Sequence, residues 1–405
     1  MQATFDKTRT MGRVFRLSGP AVLALSVAAT LHGQAFPSGS TGADGDLNIT
    51  TAGVTNFTAL PVGGGNIYNF KTITIAGGAT LRLSGGLFTG PLYFLAQGAV
   101  TVNGTLDASG QNGVIPSASG QRTGPTIPGP GGYGGGAAAF GANAALPGLG
   151  PLGGAVNGLT CYTKPQGGAG GASQSPFLVP LTGGSGGAGA GANGGAGGGA
   201  LLIASSVSIT VNGTVTAAGG NGNYSGSASG GGGGGGIRLV APLIAGYGTI
   251  TAAGGSGGWE QTNCTNDGAS GTVRLESYQF TFNGNTGGNR YTASPVALLL
   301  PVANTQPLIT VTTINGITVP TSPTGSFTVP DVVLNSTSPL TVAIHAVNVP
   351  TGTTPTLYFS TQNFPDQTIV ANGPLTGTQA SSNTTATVTL SPGYSVGFVT
   401  ATWVQ

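Results

Sequence analysis

Charge is the scarcest property of this 405-residue chain. Lys, Arg, Asp and Glu together make up 5% of it, and His, Met, Trp and Cys occur twice each. Beyond residue 35 the single histidine is His345, so a Ser-His-Asp triad or a His-rich metal site has little to draw on. No Gly-Lys dipeptide occurs, which excludes a Walker-type phosphate loop. "GGSGG" at 183–187 and 254–258 matches a nucleophile-elbow pattern around Ser185 and Ser256. Neither follows a strand and opens a helix, as that turn requires. Asp44 and Asp46 in "GADGDLNIT" have no third carboxylate at cation-binding spacing and suit a tight turn. No cofactor and no metal is expected.

What the chain does contain is glycine, 78 residues, with 26 prolines, about a quarter of the whole. Such composition usually signals low complexity. Disorder, however, goes with low hydrophobicity and many charges, whereas mean hydropathy here is +0.21. The Val, Ile, Leu and Phe content suits a β-rich core.

The N-terminus reads as an export signal. Lys7, Arg9, Arg13 and Arg16 precede the apolar run Leu17 to Leu31, and Gly33-Gln34-Ala35 offers small residues at a cleavage site after Ala35. As a membrane anchor the run is short and is weakened by Ser18, Gly19 and Pro20. Removing residues 1–35 takes Lys and Arg from 11 to 7 and Asp and Glu from 9 to 8, a net charge near −1. The basic balance therefore belongs to the leader, and nucleic acid is not an expected partner. The mature chain is expected to be exported, extracellular or at the cell surface, with no membrane span.

Internal repeats organise residues 36–290. "AVTVNGTLDASGQNG" (99–113) and "VSITVNGTVTAAGGNG" (207–222) are near copies, and "IAGYGTITAAGGSGG" (244–258) and "YQFTFNGNTGG" (278–288) follow. A second strand precedes each: "LYFLA", "ALLIA", "IRLVA" and "VRLES". Stacking the units puts Leu92, Ala200, Ile237 and Val273 in one core column and Phe94, Leu202, Leu239 and Leu275 in the next. Val100, Val102 and Leu106 match Ile209, Val211 and Val215. Units of about 20 residues predict a parallel β-solenoid. The recurring Asn-Gly at 103–104, 212–213 and 283–284 is read as a corner with φ > 0 whose Asn side chains bond along the axis. A hairpin meander is the competing reading.

Insertions at 111–199, 220–236 and 255–271 leave after the same corner and return before the same strand. They should form one Gly-rich lobe. Its three-residue beat fits polyproline-II-type glycine helices packed side by side; a flexible linker is the alternative. The outward columns read Tyr93, Leu201, Arg238, Arg274 and Leu95, Ile203, Val240, Glu276. Their apolar members call for a cover, and the arginines and Glu276 for a solvent-facing charge ladder. The two cysteines, Cys161 and Cys264, lie in the first and third insertions. In an exported chain they are expected to form a disulfide, worth on the order of 4–5 kcal/mol for so long a loop. Outward Thr residues such as Thr105, Thr214 and Thr249 could form a flat array of the ice-binding kind, though Thr is in any case favoured in strands.

After a linker or cap at 291–307, residues 308–405 carry about seven short strands between turn signals, which predicts an Ig-like or fibronectin-like β-sandwich. The fold class is thus all-β: a solenoid with a Gly-rich lobe, then a small sandwich.

The strongest chemical candidates are the lobe's aromatics, above all Tyr133, Tyr162, Tyr224 and Trp259, which could stack on sugars or anchor a partner. Packing the lobe itself is their other use. A polysaccharide lyase or glycoside hydrolase on a β-helix would need clustered carboxylates or carboxylates with Arg. Asp107, Arg238, Arg274 and Glu276 are its candidates, and Asp107 has no visible partner. "GADGDLNIT", "VTVNGTLDASG", "GGGIRLVAPLIAGYGTITAAGG" and "GTVRLESY" together resemble bacterial exported Gly-rich repeat proteins of adhesin-like type, over about residues 40–280. That resemblance implies a surface or secreted β-helical protein and carries no activity. The lobe also resembles the polyglycine layers of phage tail-fibre adhesins, against which the export leader speaks. The expected function is non-catalytic adhesion or structure, with extracellular polysaccharide or another surface protein as partner.

Overall fold

Parallel strand pairing dominates the first two-thirds of the chain. The computed structural model describes residues 34–62, 65–116, 125–140, 143–156, 160–161, 164–165, 176–258, 266–301, 307–320, 323, 330–336, 339–361 and 364–403. Among the described residues every regular element is a strand. The first unit comprises β1 (Gly45–Ile49), β2 (Gly53–Asn56), β3 (Ile67–Ile75) and β4 (Ala79–Arg82). Next come β5 (Leu92–Ala96), β6 (Val100–Val102) and β7 (Thr105–Asp107), with short β8 (Thr160–Cys161) and β9 (Lys164–Pro165) in the long insertion. Three further triplets follow. They are β10 (Ala200–Ser205), β11 (Ser208–Val211), β12 (Thr214–Thr216); β13 (Gly236–Val240), β14 (Leu243–Gly246), β15 (Thr249–Thr251); and β16 (Thr272–Glu276), β17 (Gln279–Phe282), β18 (Asn285–Gly287). β19 (Asn289–Ala293) closes the series.

Corresponding strands of successive units pair in parallel. An 11-stranded sheet, curled into a half-barrel, runs β17-β14-β11-β6-β3-β5-β10-β13-β16-β19, with β1 also on β3. The nine-residue β3 joins its two wings, pairing with β5 through its first half and β6 through its second. A six-stranded sheet, β18-β15-β12-β7-β4-β2, faces it. Between the sheets lies one core that includes Ile75, Leu81, Val102, Leu106, Val211 and Val215. At its N-terminal end Phe57, Tyr68, Phe70 and Phe94 pack ring against ring, centroids 5.0–5.8 Å apart.

The register corrects the β10 member of every expected column. Leu201, not Ala200 or Leu202, sits opposite Leu92 and Ile237, and Ile203 opposite Phe94 and Leu239. The outward columns are therefore Tyr93, Leu202, Arg238, Arg274 and Leu95, Ala204, Val240, Glu276. A one-residue slip moves a strand's whole side-chain set to the other face. Here the alternation could not fix the phase, because all six residues of β10 are buried and its apolar run is continuous. The outer face has the cover that its apolar columns demand. Phe36, Leu178 and Leu181 are buried against Tyr93, Leu95, Leu202 and Val240, and Leu298 and Leu300 pack beside them.

The Asn-Gly pairs are turns between parallel sheets, not hairpins, since strands on both sides pair in parallel with the next unit. Asn212 Nδ2 donates to Asn103 Oδ1 at 2.9 Å, the expected bond along the stack. The reason for the glycine differs from expectation. Gly104 and Gly213 are not among the residues with positive φ. A Cβ on Gly213 would instead overlap the Gly104 carbonyl of the unit below. Close stacking, not left-handed backbone, demands the residue.

The insertions leave after β7, β12 and β15, return into β10, β13 and β16, and pack as extended limbs. Their hydrogen bonds repeat every three residues. In the limb 193–200, Asn193, Ala196 and Gly199 donate to the carbonyls of Val114, Gln111 and Ala108. Gly194, Gly197 and Ala200 donate to Gly136, Tyr133 and Pro130, and Gly195 and Gly198 to Gly230 and Gly233. Three successive N–H groups thus reach three different neighbours, the geometry of a threefold extended helix with no bonds inside itself. The seven glycines 230–236 do the same: Gly230 and Gly233 donate to Ala188 and Ser185, Gly231 and Gly234 to Asn266 and Ala269, Gly232 and Gly235 to Gly220 and Ala217. The segment is an ordered limb and not a linker.

The C-terminal part is antiparallel. β20 (Leu308–Ile314), β21 (Ile317–Thr318), β22 (Leu340–Val347), β25 (Thr376–Thr378) and β26 (Ser381–Val388) form a five-stranded sheet. β23 (Thr356–Thr361), β24 (Gln367–Val370) and β27 (Ser395–Thr400) form a three-stranded one. Val342, Ile344, Leu357, Phe359, Ala386 and Val388, from both sheets, share a core.

Close limb packing makes a sharp expectation. A Cβ on Gly195 would overlap the Gly220 backbone, whereas one on Gly77 meets nothing within 4 Å. Gly195→Ala should cost roughly 3 kcal/mol by overpacking, and Gly77→Ala less than about 0.5 kcal/mol. Thermal unfolding measures both, and deuterium exchange should show lost protection at 184–198 in the first variant only.

Candidate functional site

The lobe's far end is set by where its limbs turn. Tyr133, Gly136 and Ala139 donate to Gly184, Gly187 and Ala190, so limbs 133–139 and 184–190 run side by side away from the strands. They end together, at the Phe140–Asn143 bridge and at a turn where Ala190 donates to Ala192. Asn193 bonds Val114 at that level, and a Cβ on the neighbouring Gly191 would overlap the Ser225 carbonyl. The distal end therefore carries Val114, Ile115, Phe140 and the Tyr224–Ala228 bridge. Tyr224 is 39% exposed there. Its backbone is fixed: Asn223 Oδ1 accepts from Tyr224 N, and Ser229 Oγ accepts from Asn223 N while donating to Asn193 O.

Tyr133 belongs to a different level. It lies beside Gly184, seven residues below Gly191, which at the rise of an extended glycine helix is about 20 Å from Tyr224. Its ring packs against Gly150. The two tyrosines thus do not share one surface. Tyr162 and Trp259 lie outside the described residues, as does Cys264, and of Cys161 only the backbone is described; the expected disulfide rests on sequence alone. Sequence reasoning missed Asn143, whose Nδ2 donates 2.7 Å to Phe364 O and joins the distal end to the C-terminal sheets. No signal in "FGANAAL" marks that residue.

The charged candidates are corrected on two counts. Asp107 has a partner, Arg82, whose guanidinium bonds its Oδ2 and donates to Ser109 O at 2.7 Å. Arg82 stands directly opposite Asp107 in the parallel register, and the looser spacing of its unit hid it in the sequence. Arg238, Arg274 and Glu276 form no solvent-facing ladder. They are 3%, 8% and 0% exposed. Glu276 Oε1 accepts from Arg238 Nε at 2.8 Å and Arg274 Nε at 2.6 Å, and Oε2 from Arg238 Nη2 at 3.2 Å and Val296 N at 3.3 Å. Arg274 reaches Pro176 O at 3.1 Å and lies 5.3 Å from the Phe177 ring centroid. The cluster ties the return of the long insertion, and the segment after β19, to the sheet's outer face. Exposure was misread because the segments that cover these residues come from 98 and 20 residues away.

The remaining polar candidates have structural partners. Asp44 accepts from Val62 N at 2.7 Å and Asn69 N at 2.5 Å, a loop clamp, and Asp46 accepts from Thr72. Ser185 is buried in the lobe. His345 Nε2 lies 3.1 Å from Ser381 Oγ on the C-terminal sheet. Among the described residues no three His, Cys, Asp or Glu gather as a metal site, and no helix is long and apolar enough to cross a membrane. The charged groups thus sit in separate places. The lobe's distal end sets an exposed aromatic ring, Tyr224, on a fixed backbone beside exposed Val114 and Ile115.

Compared with protein-family models, curated proteins and solved structures, the chain matches none.

The two ion-pair sites should respond differently to loss of charge. Glu276→Gln leaves two buried guanidinium groups without a counter-charge and should destabilise by about 3–5 kcal/mol. Asp107→Asn, at a partly exposed pair, should cost no more than about 1 kcal/mol. Urea unfolding of the two variants against the parent checks the contrast.

Proposed function

We propose that the chain is a secreted or cell-surface, non-catalytic adhesive protein that binds glycan or a surface partner through the distal end of its Gly-rich lobe. In this reading residues 1–35 are a cleaved leader and the parallel units form a β-solenoid that serves as a rigid stalk. The C-terminal sheets serve as an Ig-like docking module. The observation that carries the reading is the lobe's hydrogen-bond array. A lobe whose N–H groups are committed three ways at each turn presents its end rigidly, and a rigid aromatic anchor loses little freedom on binding. Tyr224, half-exposed on a fixed turn, is that anchor. Trp259 is proposed to join it, and Cys161–Cys264 to tie the first and third insertions together.

Glycan-array binding tests the proposal. Tyr224→Ala and Trp259→Ala should each abolish binding with the melting temperature unchanged; retained binding in both would sink it. The native, unreduced protein should titrate with no free thiol, and two thiols would refute the disulfide. Release of new reducing ends or unsaturated products from polysaccharides would overturn the non-catalytic assignment.

A further inference from the structure

The last unit breaks the pattern of the core. Three inward columns that are apolar in the preceding units turn polar there. Leu92, Leu201, Ile237 and Val273 are followed by Arg290. Leu239 and Leu275 are followed by Thr292, and Val215 and Ile250 by Thr286. Arg290 lies with its Cζ 5.0 Å from the ring centroid of Phe280, which itself continues the core column of Ile244. A charge pointing inward at an open sheet end blocks addition of another strand set. It also leaves a guanidinium with work to do. Arg82, Arg238 and Arg274 each bond a carboxylate, whereas Arg290 has no carboxylate within ion-pair distance among the described residues. It borders a cavity of about 320 Å³, shared with Leu275, Ser277, Phe280, Thr292 and Ser294.

We propose that this end cavity binds a carboxylate-bearing sugar unit, a uronate within an acidic polysaccharide. A guanidinium held over a ring face keeps its N–H edges free and pre-aligned, the arrangement for bidentate carboxylate recognition. The half-exposed Phe280 ring supplies an apolar edge for the C–H face of a pyranose, with the fully buried Leu275 closing the bottom behind it, and the hydroxyls of exposed Thr292 and Ser294 line the rim where they can meet the sugar's hydroxyls. A simple inorganic anion would pair with Arg290 and waste the apolar edge; a neutral sugar would use that edge and leave the guanidinium unpaired. The site is separate from the lobe and does not depend on the reading of Tyr224.

Calorimetric titration of the full chain tests it with four probes: a galacturonate trisaccharide, its neutral galactose counterpart, sulfate and a Glu-rich peptide. The uronate should bind and the other three should bind at least tenfold more weakly. Arg290→Gln should weaken the uronate at least tenfold, about what loss of one charge-assisted bidentate contact entails. Thr292→Val should weaken it less, and Tyr224→Ala should leave it unchanged. Melting curves should match the parent's, since Arg290 is exposed, and so establish that the variants are folded. No uronate binding, equal binding of the neutral sugar, or unaltered binding in folded Arg290→Gln overturns the proposal. Sulfate or peptide binding as tight as uronate overturns the sugar assignment. Loss of uronate binding in Tyr224→Ala would move the site to the lobe and equally refute it.

Discussion

Backbone-to-backbone hydrogen bonding at three-residue intervals is the constraint on which the molecule depends. A β-strand bonds its neighbours in one plane, whereas a threefold extended limb bonds in three directions. The lobe can therefore be filled by main chain with almost no side chains. That requires neighbouring backbones to approach until a Cβ no longer fits, as Gly195 against Gly220 and Gly232 against Ala196 illustrate. Glycine is entropically the most expensive residue to order. The three-way bonding and close contact offset that cost, so a composition that usually signals disorder yields an ordered layer.

The parallel sheets and the lobe are interdependent. Each insertion begins and ends at a strand of the stack, so strand register fixes the register of its returning limb: Gly199 leads into β10 and Gly235 into β13, and Gly236 donates to the Gly199 carbonyl. In return the long insertion supplies Leu178 and Leu181, which bury the outer face of β5 and β10. The Arg238–Glu276–Arg274 cluster lies within that covered face. Buried ions contribute little net stability once desolvation is counted, but their directional bonds fix where the covering segments lie.

Much of this was legible in the sequence. The near-identical "VTVNGT" and "ITVNGT" segments marked parallel stacking, because alternate apolar residues recur at one phase. The common exit and entry points marked a single lobe, and its three-residue beat the helix type. The phase of β10 was not legible, since a strand buried on both faces carries no alternation. Nor was the burial of Glu276, whose cover arrives from distant segments. Asp107 looked solitary because Arg82 lies in the least regular unit. For the candidate site, sequence identified Tyr133 and Tyr224 as aromatic residues of the lobe but not that they stand at different heights. That distinction needs the count of hydrogen-bonded steps along each limb.

The threefold limbs also govern how such a lobe can change length. Each N–H points about 120° away from the one before it, so deleting one or two residues within a limb turns every later donor toward the wrong neighbour. Only steps of three restore the bonding directions, and an outgoing limb must change together with its return for the turn to stay level with the others. Lobes of this construction can thus grow or shrink only in whole turns, roughly 9 Å at a time. Their height above the strands therefore changes in fixed steps, with the stack beneath left as it is.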